Sequence, residues 1–365
     1  MLSKKILKPG FFRGYGKPKA TVRMLGYDLP KWESIRVENN AFSVADSFDL
    51  SLPWNVSDKQ VDPLLSSGPD FQSQLVSGTN IPVEVYLGFT GEPTKRVMFG
   101  KMDVARWNFG SDGEVVSVIG RNLTGQLIDT KTTEKYQNLT ASKVAEQFFI
   151  QHGLTPQVTK TNNLIGTYLN KDQTQMERET TQWDLLLWLS QEEGFVCRVI
   201  DDIGYFGPRS GIANLNAEPL VYTWGLNILD LEIERGPHAA RNLVVEVVSW
   251  HGKQRIAEKA TSRTHVEEKY TQRFTIPGLT REQAQKRARS ILEELSAQEM
   301  FGRLRTDWIP EFGTDRRIAL HGVGLGLSQI YYVTKVTVQS SLSGGIEAEL
   351  SFVNNYIQDA GRYSP

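Results

Sequence analysis

Within residues 114–130 the spacing at which apolar residues recur changes from that of a strand to that of a helix. Val116 and Val118 occupy alternate positions just after a Ser-Asp-Gly turn, which predicts a strand. Leu123 and Leu127 then recur at helical spacing, so the strand should lead into a short helix. We expect Gly120 to let the chain bend out of the sheet at this junction, because glycine has no Cβ to clash.

Alternating patterns elsewhere place strands on both sides of a central segment that is richer in helix. The predicted strands cover residues 21–25, 32–37, 48–52, 81–87, 97–109, 227–234, 242–250, 272–276, 316–321, 330–339 and 346–353. Predicted helices cover 141–152, 181–194 and 280–295. The last two open on capping boxes, in which Thr181 is matched by Asp184 and Thr280 by Gln283. The pattern in residues 131–215 therefore predicts two helices followed by a hairpin.

The two β regions repeat each other along the chain. Residues 104–113 align without a gap with residues 336–345, and each segment is a strand that enters a Ser-x-Gly turn. Three further pairs follow the same order: 83–88 with 317–322, 34–38 with 230–234, and 48–52 with 243–248. Four matches in one order predict an internal duplication.

These patterns predict a mainly β chain with an α+β insert. Two similar β-barrel-like domains, residues 20–130 and 216–357, should flank a small helix-helix-hairpin module at 131–215. The second domain should be interrupted at 252–300 by a charged segment and a helix, where the first has the loop 54–79. We expect this helix to turn its apolar stripe toward its own barrel; the alternative cover is a neighbouring subunit. Deleting 252–269 should then leave a soluble fold.

The two chain ends have a different character from the folded regions. A basic arm at 1–19 carries Phe11, Phe12 and Tyr15, and a tail is predicted at 358–365. The three aromatic residues are candidate interface residues if the arm lies on a neighbouring subunit; the alternative is a poorly ordered tail. No signal peptide is evident, because the first lysines precede no apolar segment, so we expect folding in a cytosol.

Composition excludes several classes of function. A formal net charge of −1 over 365 residues argues against a sequence-specific nucleic-acid binder. A single cysteine leaves no disulfide framework and no CxxC metal site. None of the five histidines stands at ligand spacing from another histidine or from the cysteine, and no apolar run reaches a membrane span. We therefore predict no metal, no cofactor and no membrane-spanning segment.

Candidate catalytic groups are sparse in the sequence. The pairs Glu192-Glu193 and Glu293-Glu294 lie on predicted helices, where adjacent side chains point about 100° apart and cannot face one substrate. The sequence therefore predicts no catalytic residue.

Arg121 has three interpretations: a solvated strand end, a clamp that binds carbonyls or a carboxylate such as Asp129, or a contact to a partner.

The sequence Gly-Arg-Asn-Leu-Thr-x-x-Leu-Ile-Asp at residues 120–129 closes the first β region. It resembles the baseplate hub family of contractile phage tails, the late control protein D family, which is related to the base of type VI secretion spikes. The resemblance makes Gly120, Arg121, Leu123, Leu127 and Asp129 the candidate residues of a structural junction.

The resemblance also implies a function. The chain would be a structural virion protein of the tail baseplate, assembled in the host cytoplasm as a homotrimer that adapts a sixfold tail tube to a threefold central spike. Its partners would be the tail tube protein, the central spike protein, other baseplate proteins and the tape-measure protein. Two alternatives remain open: a cell-wall glycoside hydrolase that uses carboxylates such as Glu192 or Asp202, and a carbohydrate-binding receptor module.

Overall fold

The computed structural model describes residues 17–29, 31–41, 44–54, 74–111, 113–132, 136, 138–162, 164–165, 180–236, 242–251, 254–261, 269–276, 278–296, 300–314, 316–341 and 345–354. Phe11, Phe12 and Tyr15 lie outside these ranges, as does the tail at 358–365. Within the described chain, no helix is both long and apolar enough to cross a membrane.

The chain begins with a run of strands that leads into one short helix. These are β1 Pro18–Met24, β2 Tyr27–Leu29, β3 Ser34–Asn40, β4 Ser47–Pro53, β5 Pro82–Phe89, β6 Lys95–Gly110, β7 Gly113–Asn122 and α1 Thr124–Asp129. The central module follows, with β8 Lys131–Thr132, α2 Ala141–Gln151, β9 Thr155–Val158, β10 Thr180–Thr181, α3 Gln182–Glu193, β11 Val196–Ile200, β12 Ile203–Gly207, a 3-10 turn at Arg209–Gly211 and α4 Ala213–Asn216.

Strands dominate again in the remainder of the chain. They are β13 Leu220–Thr223, β14 Asp230–Arg235, β15 Asn242–His251, β16 Gln254–Thr261, β17 Lys269–Thr275, β18 Met300–Asp307, β19 Arg317–His321, β20 Ile330–Ser341 and β21 Gly345–Val353, with α5 Arg281–Ser296 between β17 and β18. The mainly β class with helical insertions is confirmed. No strand pairing among the described residues closes a barrel, so "barrel-like" is an approximate description.

One 13-stranded sheet contains both β regions, and the same strand order occurs in it twice. The first half runs β3-β4-β7-β6-β5-β1, and the second runs β14-β18-β21-β20-β19-β13. The outermost pair differs, since β1 is antiparallel to β5 whereas β13 is parallel to β19. Pairing between β20 and β3 joins the halves. We call the halves copy one and copy two.

A β-bulge at the same place in both copies aligns them residue by residue. The register of β6 on β7 shifts between Met102 and Val104, and that of β20 on β21 shifts between Val333 and Lys335. Trp107 therefore corresponds to Val338, which is one residue away from the ungapped sequence alignment. Two residues, 111–112, separate β6 from β7, whereas three residues, 342–344, separate β20 from β21. An ungapped comparison cannot represent this difference.

The sequence comparison assigned one strand to the wrong partner. Strand β18, absent from the predicted strands, pairs with β14 and β21 as β4 pairs with β3 and β7. Residues 48–52 therefore correspond to 302–306, and the match to 243–248 is wrong. The buried positions of β18 are Gly302, Leu304 and Thr306, and the glycine and the threonine among them weaken the alternating apolar signal of a strand.

Strand β15 belongs instead to a second insert, built as a three-stranded sheet in the order β16-β15-β17 with α5 packed on it. This insert lies between β14 and β18, where copy one has only residues 41–46 between β3 and β4; the segment 54–79 is not its counterpart. Ala284, Ala288 and Leu292 of α5 are buried against Val245 and Val247 of β15. The apolar stripe is thus covered by the insert's own sheet, and neither predicted cover is correct.

The central module packs α2 and α3 against a sheet in the order β11-β12-β9 around its own apolar core. Both predicted pairs of capping residues are in contact in the structure. The backbone N–H of Asp184 donates to Thr181 Oγ1 at 3.0 Å, and the backbone N–H of Thr280 donates to Gln283 Oε1 at 2.9 Å. These contacts satisfy amide groups at the starts of α3 and α5 that have no partner within the helix.

Candidate functional site

The junction between copy one and the central module begins at Gly120, which lies inside β7 rather than at a bend. Its φ is not positive, so the predicted role of a flexible bend is wrong. A Cβ at this position would overlap the ring of Phe48 and the backbone carbonyl of Lys101. Glycine is required here by close approach, since Phe48 on β4 lies directly opposite it.

Copy two contains the same arrangement with the roles of the two strands exchanged. Gly302 on β18 lies opposite Phe352 on β21, and a Cβ built on Gly302 would come within 2.7 Å of Phe352 Cζ. By strand position, Phe48 corresponds to Gly302 and Gly120 to Phe352. Each copy therefore places one phenyl ring over one glycine at this level of the sheet.

Arg121 holds the junction together through two carboxylates. Its guanidinium donates to Asp103 from Nε at 2.7 Å and Nη2 at 2.9 Å, and to Asp129 from Nη2 at 2.8 Å and Nη1 at 3.2 Å. These hydrogen bonds raise the pKa of Arg121. Among the three interpretations of Arg121, the clamp on Asp129 matches the geometry. Asp103, at the bulge of β6, was not among the predicted junction residues, because the pairing of β6 with β7 brings it near Arg121 and no local pattern encodes that pairing.

Leu123 and Leu127 connect the junction to the central module. Both side chains are buried in the module's core together with Phe149 and Leu186, and not in the core of the large sheet. The five junction residues thus divide their roles. Gly120 packs inside the sheet, Arg121 and Asp129 form an ion pair with each other at the surface, and the two leucines anchor α1 in the core of the central module.

A polar cluster that the sequence did not suggest lies where the module meets both copies. Asp46 Oδ1 accepts from the backbone N–H of Asn40 at 2.6 Å, and Oδ2 accepts from Asn122 Nδ2 at 3.1 Å. Burial raises the pKa of Asp46 to about 6. Arg198 of the module donates to the carbonyl of Asn40 at 3.3 Å and to Thr314 of copy two at 2.7 Å. Residues from three parts of the chain therefore meet here.

Glu192 and Asp202, the carboxylates considered for hydrolysis, lie in separate elements. Glu192 is near the end of α3, whereas Asp202 is exposed in the turn between β11 and β12. The neighbouring Asp201 pairs with Arg96 of β6 at 3.3 Å. A cavity of about 230 Å³ opens beside α2, and its described lining consists of Thr130, Lys131, Thr132, Tyr136, Gln147, Phe148, Gln151 and Gln182. The described lining contains no carboxylate.

No protein-family model matches this sequence, and no curated protein matches it. Solved structures do. A tail protein from Neisseria meningitidis MC58 is 16% identical over 93% of this chain and 97% of its own, with a TM-score of 0.70. The 43 kDa tail protein of prophage MuSo2 from Shewanella oneidensis is 16% identical over 92% and 98%, with a TM-score of 0.69.

A third similar structure comes from a secretion machine. It is an E. coli component of the type VI secretion system, described as structurally similar to tail proteins of bacteriophage T4, and it is 12% identical over 92% of this chain and 77% of its own, with a TM-score of 0.56. The chain therefore has the fold of phage tail proteins and of a type VI secretion component, nearly from end to end.

Proposed function

We propose that this chain is a structural virion protein, the homotrimeric hub that joins the tail tube to the central spike of a contractile injection machine. The observation that carries the proposal is the duplicated strand order in a chain with the fold of phage tail proteins. Two equivalent copies per chain present six similar units when three chains surround one axis. Such a ring can match a sixfold tube on one face and a threefold spike on the other.

In this proposal the partners are the tail tube protein, the central spike protein, other baseplate proteins and the tape-measure protein. The location is the tail baseplate of a virion assembled in the host cytoplasm. Copies one and two form the ring, while the central module and the second insert project from it. No catalytic step is required, since the role is to match symmetries and to leave a path along the axis.

The proposal is tested by reconstructing the purified particle by electron cryomicroscopy without imposed symmetry. We expect three copies of this chain at one end of the tail tube, with six equivalent sheet segments around the axis. Two or six copies at that position would contradict the proposal. A particle made without this chain is the control, and it should lack the connection between tube and spike.

A further inference from the structure

The joint between the two copies of one chain is a continuous antiparallel pairing. Residues 335–341 of β20 lie opposite residues 34–40 of β3, with Val338 facing Val37 and Ser340 facing Ile35. All four of these side chains are at most 3% exposed. The joint therefore carries both backbone hydrogen bonds and a layer of the apolar core.

The two strands of this joint, β20 and β3, have counterparts in the other copy, which are β6 in copy one and β14 in copy two. Each counterpart has an edge on the outer side of its copy. In copy one, residues 104–110 of β6 pair with β7 on one edge, and no described strand pairs with the other edge. In copy two, β14 pairs with β18, and its other edge likewise has no partner strand in the part of the chain that the structure describes. Phe109 is 64% exposed, whereas Ser340 at the equivalent position in the joint is 3% exposed.

The repeat also specifies how these two edges would fit together. Because of the shared bulge, Trp107 corresponds to Val338 and Phe109 to Ser340. On the other strand, Leu231 corresponds to Ile35 and Ile233 to Val37, since each pair faces equivalent residues of β18 and β4. Transferring the register of the internal joint then places Trp107 opposite Ile233, and Phe109 opposite Leu231.

We propose that β6 of one chain pairs with β14 of a second copy of this chain in that register. The inference rests on the proposed ring and specifies its subunit contact. Trp107 and Phe109 then face the apolar Ile233 and Leu231, and Arg106 faces Glu234 on the outer side. Facing residues of opposite charge stabilise an antiparallel pair, and like charges destabilise it. A second copy is the favoured occupant because the chain already builds this joint once, between its own two copies.

Disulfide trapping tests the register. In an antiparallel pair, facing Cα atoms lie about 4.5–5.5 Å apart, within the range that a disulfide spans. We expect the variant Arg106→Cys/Glu234→Cys to form covalent dimers and trimers on mild oxidation, and to return to monomers on reduction. The matched control is Arg106→Cys/Asp230→Cys, whose second cysteine lies four residues, about 13 Å, further along β14. Cys197 is buried, and burial raises the pKa of its thiol, so it should stay unreactive.

A charge exchange supplies an independent measurement. Arg106→Glu should weaken self-association by about tenfold in sedimentation experiments, because it places like charges opposite each other at every contact. Adding Glu234→Arg should restore most of the loss. If the protein is trimeric and the control variant cross-links as efficiently as the Arg106→Cys/Glu234→Cys variant, the proposed register is wrong, but the proposed function is not contradicted. Failure of the facing pair to cross-link, at concentrations where oxidation is complete, would overturn the pairing. A particle without three copies would overturn the proposed function itself.

Discussion

Among single residues, position 120 requires glycine because the ring of Phe48 and the backbone carbonyl of Lys101 leave no room for a Cβ. Gly120→Val should lower the free energy of unfolding by about 1–3 kcal/mol, because the new side chain forces Phe48 and the Lys101 carbonyl aside. Chemical denaturation measures the effect. The matched control is Gly110→Val in the neighbouring strand, where a Cβ meets nothing within 4 Å. Equal stability of the two variants would show that the close approach at Gly120 does not constrain the fold.

The Arg121 clamp depends on the planar fork of the guanidinium as well as on its charge. Arg121→Lys keeps the charge but cannot bind both carboxylates with two hydrogen bonds each, so we expect a loss of about 1 kcal/mol. The control is Arg23→Lys, whose ion pair with Asp28 is more exposed and should contribute close to nothing. Thermal unfolding at low and high salt distinguishes the two sites. A loss at Arg121 no larger than that at Arg23 would count against the clamp.

Asp46 makes stability depend on pH. Its pKa of about 6 in the folded chain exceeds the ordinary value of about 3.9, so the folded state binds this proton more tightly than the unfolded state does. The stabilisation is complete below pH 4 and is lost as the pH rises through 6. Relative to Asp46→Asn, the natural protein should lose about 1–3 kcal/mol over that range.

Measuring the difference between the two proteins cancels the titration of the other carboxylates. The control is the same measurement on Asp49→Asn, at an exposed position of the adjoining strand β4. A pH-independent difference for Asp46→Asn would show that Asp46 titrates alike in the folded and unfolded states.

At the scale of elements, the second insert is a self-contained unit with adjacent ends. Arg235 and Met300 face each other across β14 and β18, and residues 236–299 leave and return at this point. Replacing 236–299 with residues 40–45, which occupy the equivalent place in copy one, should therefore give a soluble protein. Deleting only 252–269 should give an insoluble or dye-binding one, because that segment contains β16, which covers α5. Size-exclusion chromatography compares them, and equal solubility would contradict the assignment of β16 to the insert core.

At the scale of the whole molecule, the two copies share one apolar core rather than two. Trp308 of copy two is 1% exposed and packs against Phe89 of copy one with ring centroids 5.9 Å apart. Lys95 of copy one also donates to the carbonyl of Pro310 at 2.6 Å. The copies should therefore unfold together. Trp308→Ala should cost about 3–5 kcal/mol and shift one transition detected equally in both copies by hydrogen exchange. Separate transitions would show that the copies are independent domains.

The mainly β class, the helices of the inserts with their caps, and the existence of a repeat could all be predicted from the amino-acid sequence. These features depend on neighbours only a few residues apart, so period and cap residues along the chain suffice to predict them. Strand β18 escaped detection because one of its inward positions is a glycine, whose missing side chain makes room for the ring of Phe352.

Which strands share a sheet could be read only from the folded chain. It separated β15 from copy two, brought Asp103 to Arg121 across the β6–β7 pair, and gathered Asp46, Asn122 and Arg198 from distant segments. It also showed that the stripe of α5 is covered by a sheet of its own insert. Pairing partners and burial depend on contacts between residues far apart in sequence. A local pattern can predict that a side chain is buried or paired, but the residue that covers it or pairs with it depends on the tertiary fold.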